Sequence, residues 1–308
     1  MTATSTTTPP ASDPLAPIVE TLFFSLGADG VYARSGLYEE ILERLAAFIT
    51  KERDPDVEVF RFPPVVSRTL IEKSGYLKSF PNLLGCVSAL HGTEAEIRGA
   101  ADGHEKGLDW TKSVSASDLV LMPAACYPIY PMVAARGAPV PTGGLQFDVA
   151  ADCFRHEPSK ALDRLQSFRM REYVLIGTPS EITAYRDRWM KRAEAMATEL
   201  ALPHETVAAS DPFFGRVGQV KAVSQKQQSL KFELTIPYYA GAKPTACMSF
   251  NYHRDHFGDV WAIKDENGEL VHTGCVAFGM DRLTVALFSV HGLDIARWPG
   301  SVRRALGL

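Results

Sequence analysis

Residues 145–157 read Leu145-Gln146-Phe147-Asp148-Val149-Ala150-Ala151-Asp152-Cys153-Phe154-Arg155-His156-Glu157, and their alternation decides the fold. The odd positions Leu145, Phe147, Val149, Ala151 and Cys153 are apolar, which in a strand places them on one face, and the same parity then delivers Arg155 and Glu157. Charges that continue a buried stripe must be paired or meet a ligand, and a salt bridge at the strand end would satisfy them as well as a bound molecule would. After a polar loop, 158–166, the run from Phe168 to Ile176 alternates again, with Phe168, Met170, Glu172, Val174 and Ile176 on one face. A carboxylate interrupts that face. Ionised, it needs a cation, either a neighbouring arginine or a metal.

Outward from this pair of strands, further period-two runs read as a sheet with one face buried. Helical spacing appears at Leu37, Ile41, Leu42, Leu45, Phe48 and Ile49, with Ser35 as N-cap, which predicts a helix over 36–52. Thr178-Pro179-Ser180-Glu181 reads as a capping box with proline in the first turn, opening a helix that runs to about Leu200 and stops before Pro203. The class is α+β. Residues 1–17, rich in threonine, serine and proline, read as a disordered tail, and 18–308 as one domain with no linker to split it.

With 32 basic and 36 acidic residues among 308, the net charge of −4 excludes a global electrostatic footprint for nucleic acid. The longest apolar runs, such as Leu119–Cys126, fall far short of the roughly 18 residues a membrane helix needs. No basic residue precedes Arg34, so neither a secretory signal nor an organellar presequence is expected, and the chain reads as cytoplasmic. The five cysteines are spread without a CxxC pair, which in a reducing compartment makes them packed residues, ligands or nucleophiles.

A third segment, Gly274-Cys275-Val276-Ala277-Phe278-Gly279-Met280-Asp281-Arg282, reads as a short strand broken at Gly279 and followed by a helix that Asp281 can cap. Arg282 then sits in a first turn, the wrong end of a helix for a cation, and a phosphate would account for it better than helix stability.

Together these segments resemble class II aminoacyl-tRNA synthetases. Phe154-Arg155-His156-Glu157 with its loop and returning strand is similar to motif 2, and Gly274–Arg282 to the glycine-rich motif 3. Phe62-Pro63-Pro64-Val65 with Lys73–Phe80 resembles the seryl-type motif 1, which forms a dimer interface. The coiled-coil arm with which seryl enzymes hold tRNA has no counterpart. Ala124-Ala125-Cys126-Tyr127-Pro128, Ser167–Tyr173, Ser210–Gly218 and Ser249–Arg254 resemble the amino acid:[carrier protein] ligases, truncated homologues of the zinc-dependent atypical seryl-tRNA synthetases. The implied fold is an antiparallel sheet flanked by helices.

The resemblance implies a zinc on Cys126, Glu172 and Cys275, with Glu172 and Asn251 toward the substrate. The remaining cysteines, Cys86, Cys153 and Cys247, are expected to pack. It implies ATP on Arg155, Glu157, Arg164, Lys231 and Arg282, with Arg155 and Arg282 catalytic. Magnesium accompanies ATP, but the glutamate that seryl enzymes use for it falls near Thr245, which leaves its ligands unnamed. The implied activity is ATP-dependent activation of a small amino acid, glycine or alanine, and its transfer to the phosphopantetheine thiol of a carrier protein. Residues 212–232 carry Arg216, Lys221, Lys226 and Lys231 and no acid, and Arg216, Lys221 and Lys226 are candidates to dock an acidic carrier. A homodimer is implied, with neither membrane nor productive tRNA binding. The alternatives are an atypical seryl-tRNA synthetase and a non-catalytic synthetase-like subunit.

Overall fold

The structure, a computed structural model, describes residues 13–308. Of the predicted tail, residues 1–12 lie outside the described residues, while Asp13 accepts the Leu15 N–H at 3.0 Å and a helix starts at Ala16.

The chain opens with α1 (Ala16–Leu22), the hairpin β1 (Phe23–Ala28) and β2 (Val31–Arg34), and α2 (Gly36–Lys51). It continues through β3 (Glu58–Phe62), β4 (Val65–Ser67), α3 (Arg68–Lys73), α4 (Tyr76–Ser79), β5 (Cys86–Leu90), α5 (Glu94–Glu105), β6 (Val114–Leu121) and α6 (Ile129–Ala135). Then come β7 (Leu145–Phe154), β8 (Ser167–Gly177), α7 (Pro179–Glu199), β9 (Glu205–Ala208) and α8 (Gly215–Gln227). The last elements are β10 (Lys231–Ile236), β11 (Thr245–Arg254), α9 (His256–Trp261), β12 (His272–Gly279), α10 (Met280–His291) and α11 (Gly300–Leu306).

The main sheet has seven strands in the order β3-β7-β8-β12-β11-β10-β9, antiparallel except where β3 runs parallel to β7. β7 and β8 are the two alternating runs of the sequence, paired so that Cys153 faces Phe168 and Val149 faces Glu172. The expectation of one buried face fails for the middle strands, because from Arg171 to Gly177 every residue of β8 is buried. Two cores account for this. On one face α2, α7 and α10 bring Ile41, Leu45, Trp189, Leu283 and Phe288 against Tyr173, Leu175, Phe250 and Phe278. On the other, Ile71, Tyr130, Val133 and Phe257 cover Val149, Val174, Ile176 and Cys275.

Local chemistry fixes the two helices that the sequence predicts. Ser35 Oγ accepts the Tyr38 N–H at 3.3 Å and starts α2, whose Ile41, Leu42, Leu45, Phe48 and Ile49 are all buried. At α7 both halves of the capping box form, Thr178 accepting from the Glu181 N–H and Glu181 from the Thr178 N–H. Glu181 also accepts the Gly143 N–H at 2.6 Å, which ties the start of α7 to the turn ahead of β7. Fully burying a large side chain such as Trp189 or Ile182 contributes roughly 1.5–3 kcal/mol, so packing outweighs any single cap. The close approach of α7 to β12 needs Gly274, since a Cβ there would stand 2.6 Å from Ile182 Cγ2.

A smaller sheet, β4-β6-β5, carries α5, which buries no residue. Cys86, expected to pack, is exposed on β5, an edge strand of that sheet, whereas Cys153 and Cys247 are buried.

Candidate active site

Three distant segments bring Cys126, Glu172 and Cys275 together. Cys126 lies on the loop between β6 and α6, Glu172 on β8, and Cys275 on β12, which the sheet order sets beside β8. The Cys126 N–H donates to Glu172 Oε1 at 3.0 Å, and the two thiols and the carboxylate lie close enough to shift one another's ionisation. Glu172 is 2% exposed. Burial pushes its carboxyl up, against the opposing pull of both thiols, the Cys126 N–H and Arg155. The Cys275 thiol is raised by its bond with Cys126, by burial and by the carboxylate. The Cys126 thiol is helped down by Cys275 but raised on balance by burial and Glu172. Among the described residues no group of three or more His, Cys, Asp or Glu is set out to hold a metal ion. Asn251, opposite Cys275 in the β11–β12 register, donates to its Sγ at 3.3 Å and to Ser249 Oγ at 3.1 Å.

The predicted nucleotide residues divide into those that a ligand could reach and those already engaged. Arg155, half-buried just past β7, donates from Nε to Pro123 O at 3.2 Å and lies over the Phe168 ring, 5.5 Å from its centroid. Arg282 is held by two backbone carbonyls, Nε to Asp163 O and Nη1 to Ala246 O, each at 2.9 Å. A guanidinium has five N–H donors, so each arginine is oriented with donors to spare. Glu157 and Arg164 pair with each other at 3.1 Å. Lys231 is buried, and its ammonium is taken by Asp211 at 2.5 Å and Glu233 at 3.2 Å, which hold it above the usual lysine range despite burial. It therefore belongs neither to an exposed docking surface nor to the residues poised for phosphate.

Asp281 does not cap α10. Its buried carboxylate instead collects the Arg169 N–H at 2.5 Å, the Tyr38 hydroxyl at 2.9 Å, Arg34 at 2.9 Å and the Arg169 guanidinium at 3.0 Å, so it joins α10 to α2, β2 and β8. Sequence parity had also passed over Asp148, which is fully buried and pairs with Arg171, Arg53 and Arg61. His253 was missed too. Burial pushes its imidazole down to about 4, and it lies between Thr273 Oγ1 at 3.0 Å and Cys275 Sγ at 3.8 Å. Its place on β11, two residues beyond Asn251, is the one signal that could have found it.

Arg216, Lys221 and Lys226 are exposed on α8. On a 3.6-residue turn Arg216 shares the outward face with Val217, Val220 and Val223, and the two lysines fall on opposite flanks. The valines are 73%, 70% and 57% exposed, an apolar ridge that the charge pattern alone did not reveal. Gly218 faces inward, against Phe213.

Residues 110–291 match the family described as tRNA synthetase class II core domain (G, H, P, S and T). The chain is similar to amino acid–[acyl-carrier-protein] ligase 1 of Bradyrhizobium diazoefficiens, at 65% identity over 98% of this chain and 92% of that protein. It is also similar to ligase 2 of the same organism, at 60% identity over 99% of this chain and 91% of that protein. Among solved structures, the M. kandleri seryl-tRNA synthetase in complex with A. aeolicus tRNASec gives a TM-score of 0.78 at 22% identity, over 92% of this chain and 58% of that one. At that identity the likeness establishes the fold.

Proposed function

Since the chain belongs to the amino acid–[acyl-carrier-protein] ligases, we propose that it activates a small amino acid, glycine or alanine, with ATP and passes it to the phosphopantetheine thiol of a carrier protein. The observation that carries this reading is the likeness over nearly the whole chain, retained together with Arg155, Arg282 and the cluster of Cys126, Glu172 and Cys275.

Chemistry balances in two steps. A carboxylate oxygen of the amino acid attacks the α-phosphorus, and the bond to pyrophosphate breaks. Arg155 meets charge at the α-phosphate and substrate carboxylate, Arg282 at the γ-phosphate side, and both are held in place before the reaction by carbonyls rather than recruited during it. The carrier's thiol, losing its proton, then attacks the acyl carbon and AMP leaves. Phe168, now under Arg155, offers the adenine ring a face to stack on.

Two sulfurs and a carboxylate, supplied by three elements within one buried cluster, are a donor set suited to zinc, and Cys126, Glu172 and Cys275 would hold it. When bound, the ion would anchor the substrate amine at an open coordination position. Asn251, already on the Cys275 sulfur, orients that wall of the site.

The valine ridge of α8, with Arg216 in it and Lys221 and Lys226 on its flanks, supports docking of an acidic carrier protein. ATP–pyrophosphate exchange across a panel of amino acids, followed by thioester formation on a phosphopantetheinylated carrier, tests the reading. Exchange is expected with glycine or alanine and lost in Arg155→Ala and Arg282→Ala, while bulk tRNA accepts nothing. No exchange with any amino acid, or efficient charging of tRNA with no carrier labelled, would overturn it.

A further inference from the structure

The loop joining β7 to β8 contains a turn in which the Arg164 N–H donates to Ala161 O at 3.0 Å. It sends two adjacent side chains opposite ways. Arg164 reaches back to Glu157. Asp163 turns toward the place where β11 begins and α10 starts: its carbonyl accepts from Arg282 Nε at 2.9 Å, and its carboxylate Oδ2 accepts from the Thr245 hydroxyl at 3.4 Å. Among the described residues Asp163 forms no salt bridge, unlike Glu157, Asp211 and Asp281.

Arg282 is the cation assigned above to the far phosphates. Its backbone contact with Asp163 means that a phosphate gathered there comes to rest within a side chain's length of the Asp163 carboxylate. Two anions at that separation in a half-buried site repel, unless a cation lies between them. Magnesium is held in this manner, by one or two carboxylates together with substrate phosphates and water. The carboxylate of Asp163 and the hydroxyl of Thr245 are both hard oxygen donors.

We propose that Asp163, with Thr245 beside it, is the protein's ligand for the divalent cation that enters with ATP. The inference rests on the ATP-dependent reading above and adds the residue that reads the metal.

Calorimetric titration of the full chain with ATP, once with magnesium and once with EDTA, tests it. In the wild type magnesium should tighten ATP binding by about tenfold or more. In Asp163→Asn that gain should fall to about twofold or less, while metal-free ATP binds as well as before or better, since the repulsion is gone. Asp163→Glu, which keeps the carboxylate, should retain most of the gain. The electron paramagnetic resonance spectrum of manganese in the ATP complex should change in the Asn variant and not in the Glu variant. An unchanged magnesium gain in Asp163→Asn, or an equal loss of affinity with and without metal, would show that Asp163 only shapes the loop and would overturn the assignment. If the wild type binds no ATP under either condition, the ligase reading itself fails and takes this inference with it.

Discussion

Asp148 has no exposed surface and holds three arginines: Arg171 through both carboxylate oxygens at 2.9 and 2.5 Å, Arg53 at 2.9 Å and Arg61 at 3.1 Å. Removing it strands Arg171, itself buried, so Asp148→Ala should cost about 3–5 kcal/mol in urea unfolding at neutral pH. Burial pushes this carboxyl up, yet the bonds and charges of Arg171 and Arg61 prevail and hold it below the ordinary carboxylate range. A depressed value means that its stabilisation is complete above the unfolded carboxyl's pKa, about 3.9, and drains away as pH falls through the folded value. The gap between wild type and variant should therefore stay level from neutrality to about pH 5 and narrow only in stronger acid. A gap that closes earlier would remove Asp148 as its source. Glu172 was legible in the sequence because it broke an otherwise apolar parity. Asp148 gave no such signal: it sits among the polar positions of its strand, and only the core under α2, α7 and α10, built by helices far away in sequence, makes that face an interior. Asp163 was likewise invisible, since its place depends on how a loop folds onto β11 and α10.

At the scale of elements, α7 offers a sharp comparison. Thr178→Ala removes one side-chain cap and should lower stability by about 1 kcal/mol. Glu181→Ala should cost more, because that carboxylate accepts from the Thr178 N–H, the Thr178 hydroxyl and the Gly143 N–H, and its loss also loosens the turn into β7. Thermal melts of the two variants decide it, and equal losses would mean that the tie to Gly143 contributes nothing. Both α2 and α7 could be read in advance because cap, periodicity and stop signal agree at each of them. The long helix α8 could not. Its valines face solvent, its buried side is made by Gly218, and no apolar stripe marks where it begins or ends. An acidic partner covering the ridge would be the missing half of that pattern.

Across the whole molecule, a net charge of −4 with a local basic face on α8 should, if the carrier docks there as proposed, make transfer sensitive to salt where activation is not. Raising ionic strength so that the Debye length shrinks below about 8 Å should slow thioester formation on an acidic carrier and leave pyrophosphate exchange nearly level. Reversing Arg216 and Lys221 to glutamate should flatten that dependence, and a slope that persists in the variant would place the docking charge elsewhere. The order of the seven strands carries a different consequence. β12 is the last strand in the chain, yet it occupies the middle of the sheet, between β8 and β11. Until it inserts, β3-β7-β8 and β9-β10-β11 are two separate half-sheets, each with an open edge that offers unpaired backbone to any neighbouring strand. Assembly of the sheet is thus a late event in the chain's history, joining partners far apart in sequence, which slows folding and lengthens the interval in which nascent chains are exposed to mispairing. The strand that closes the gap is also the one that carries Cys275, so the cluster around Glu172 comes into existence in the same step that seals the protein against aggregation.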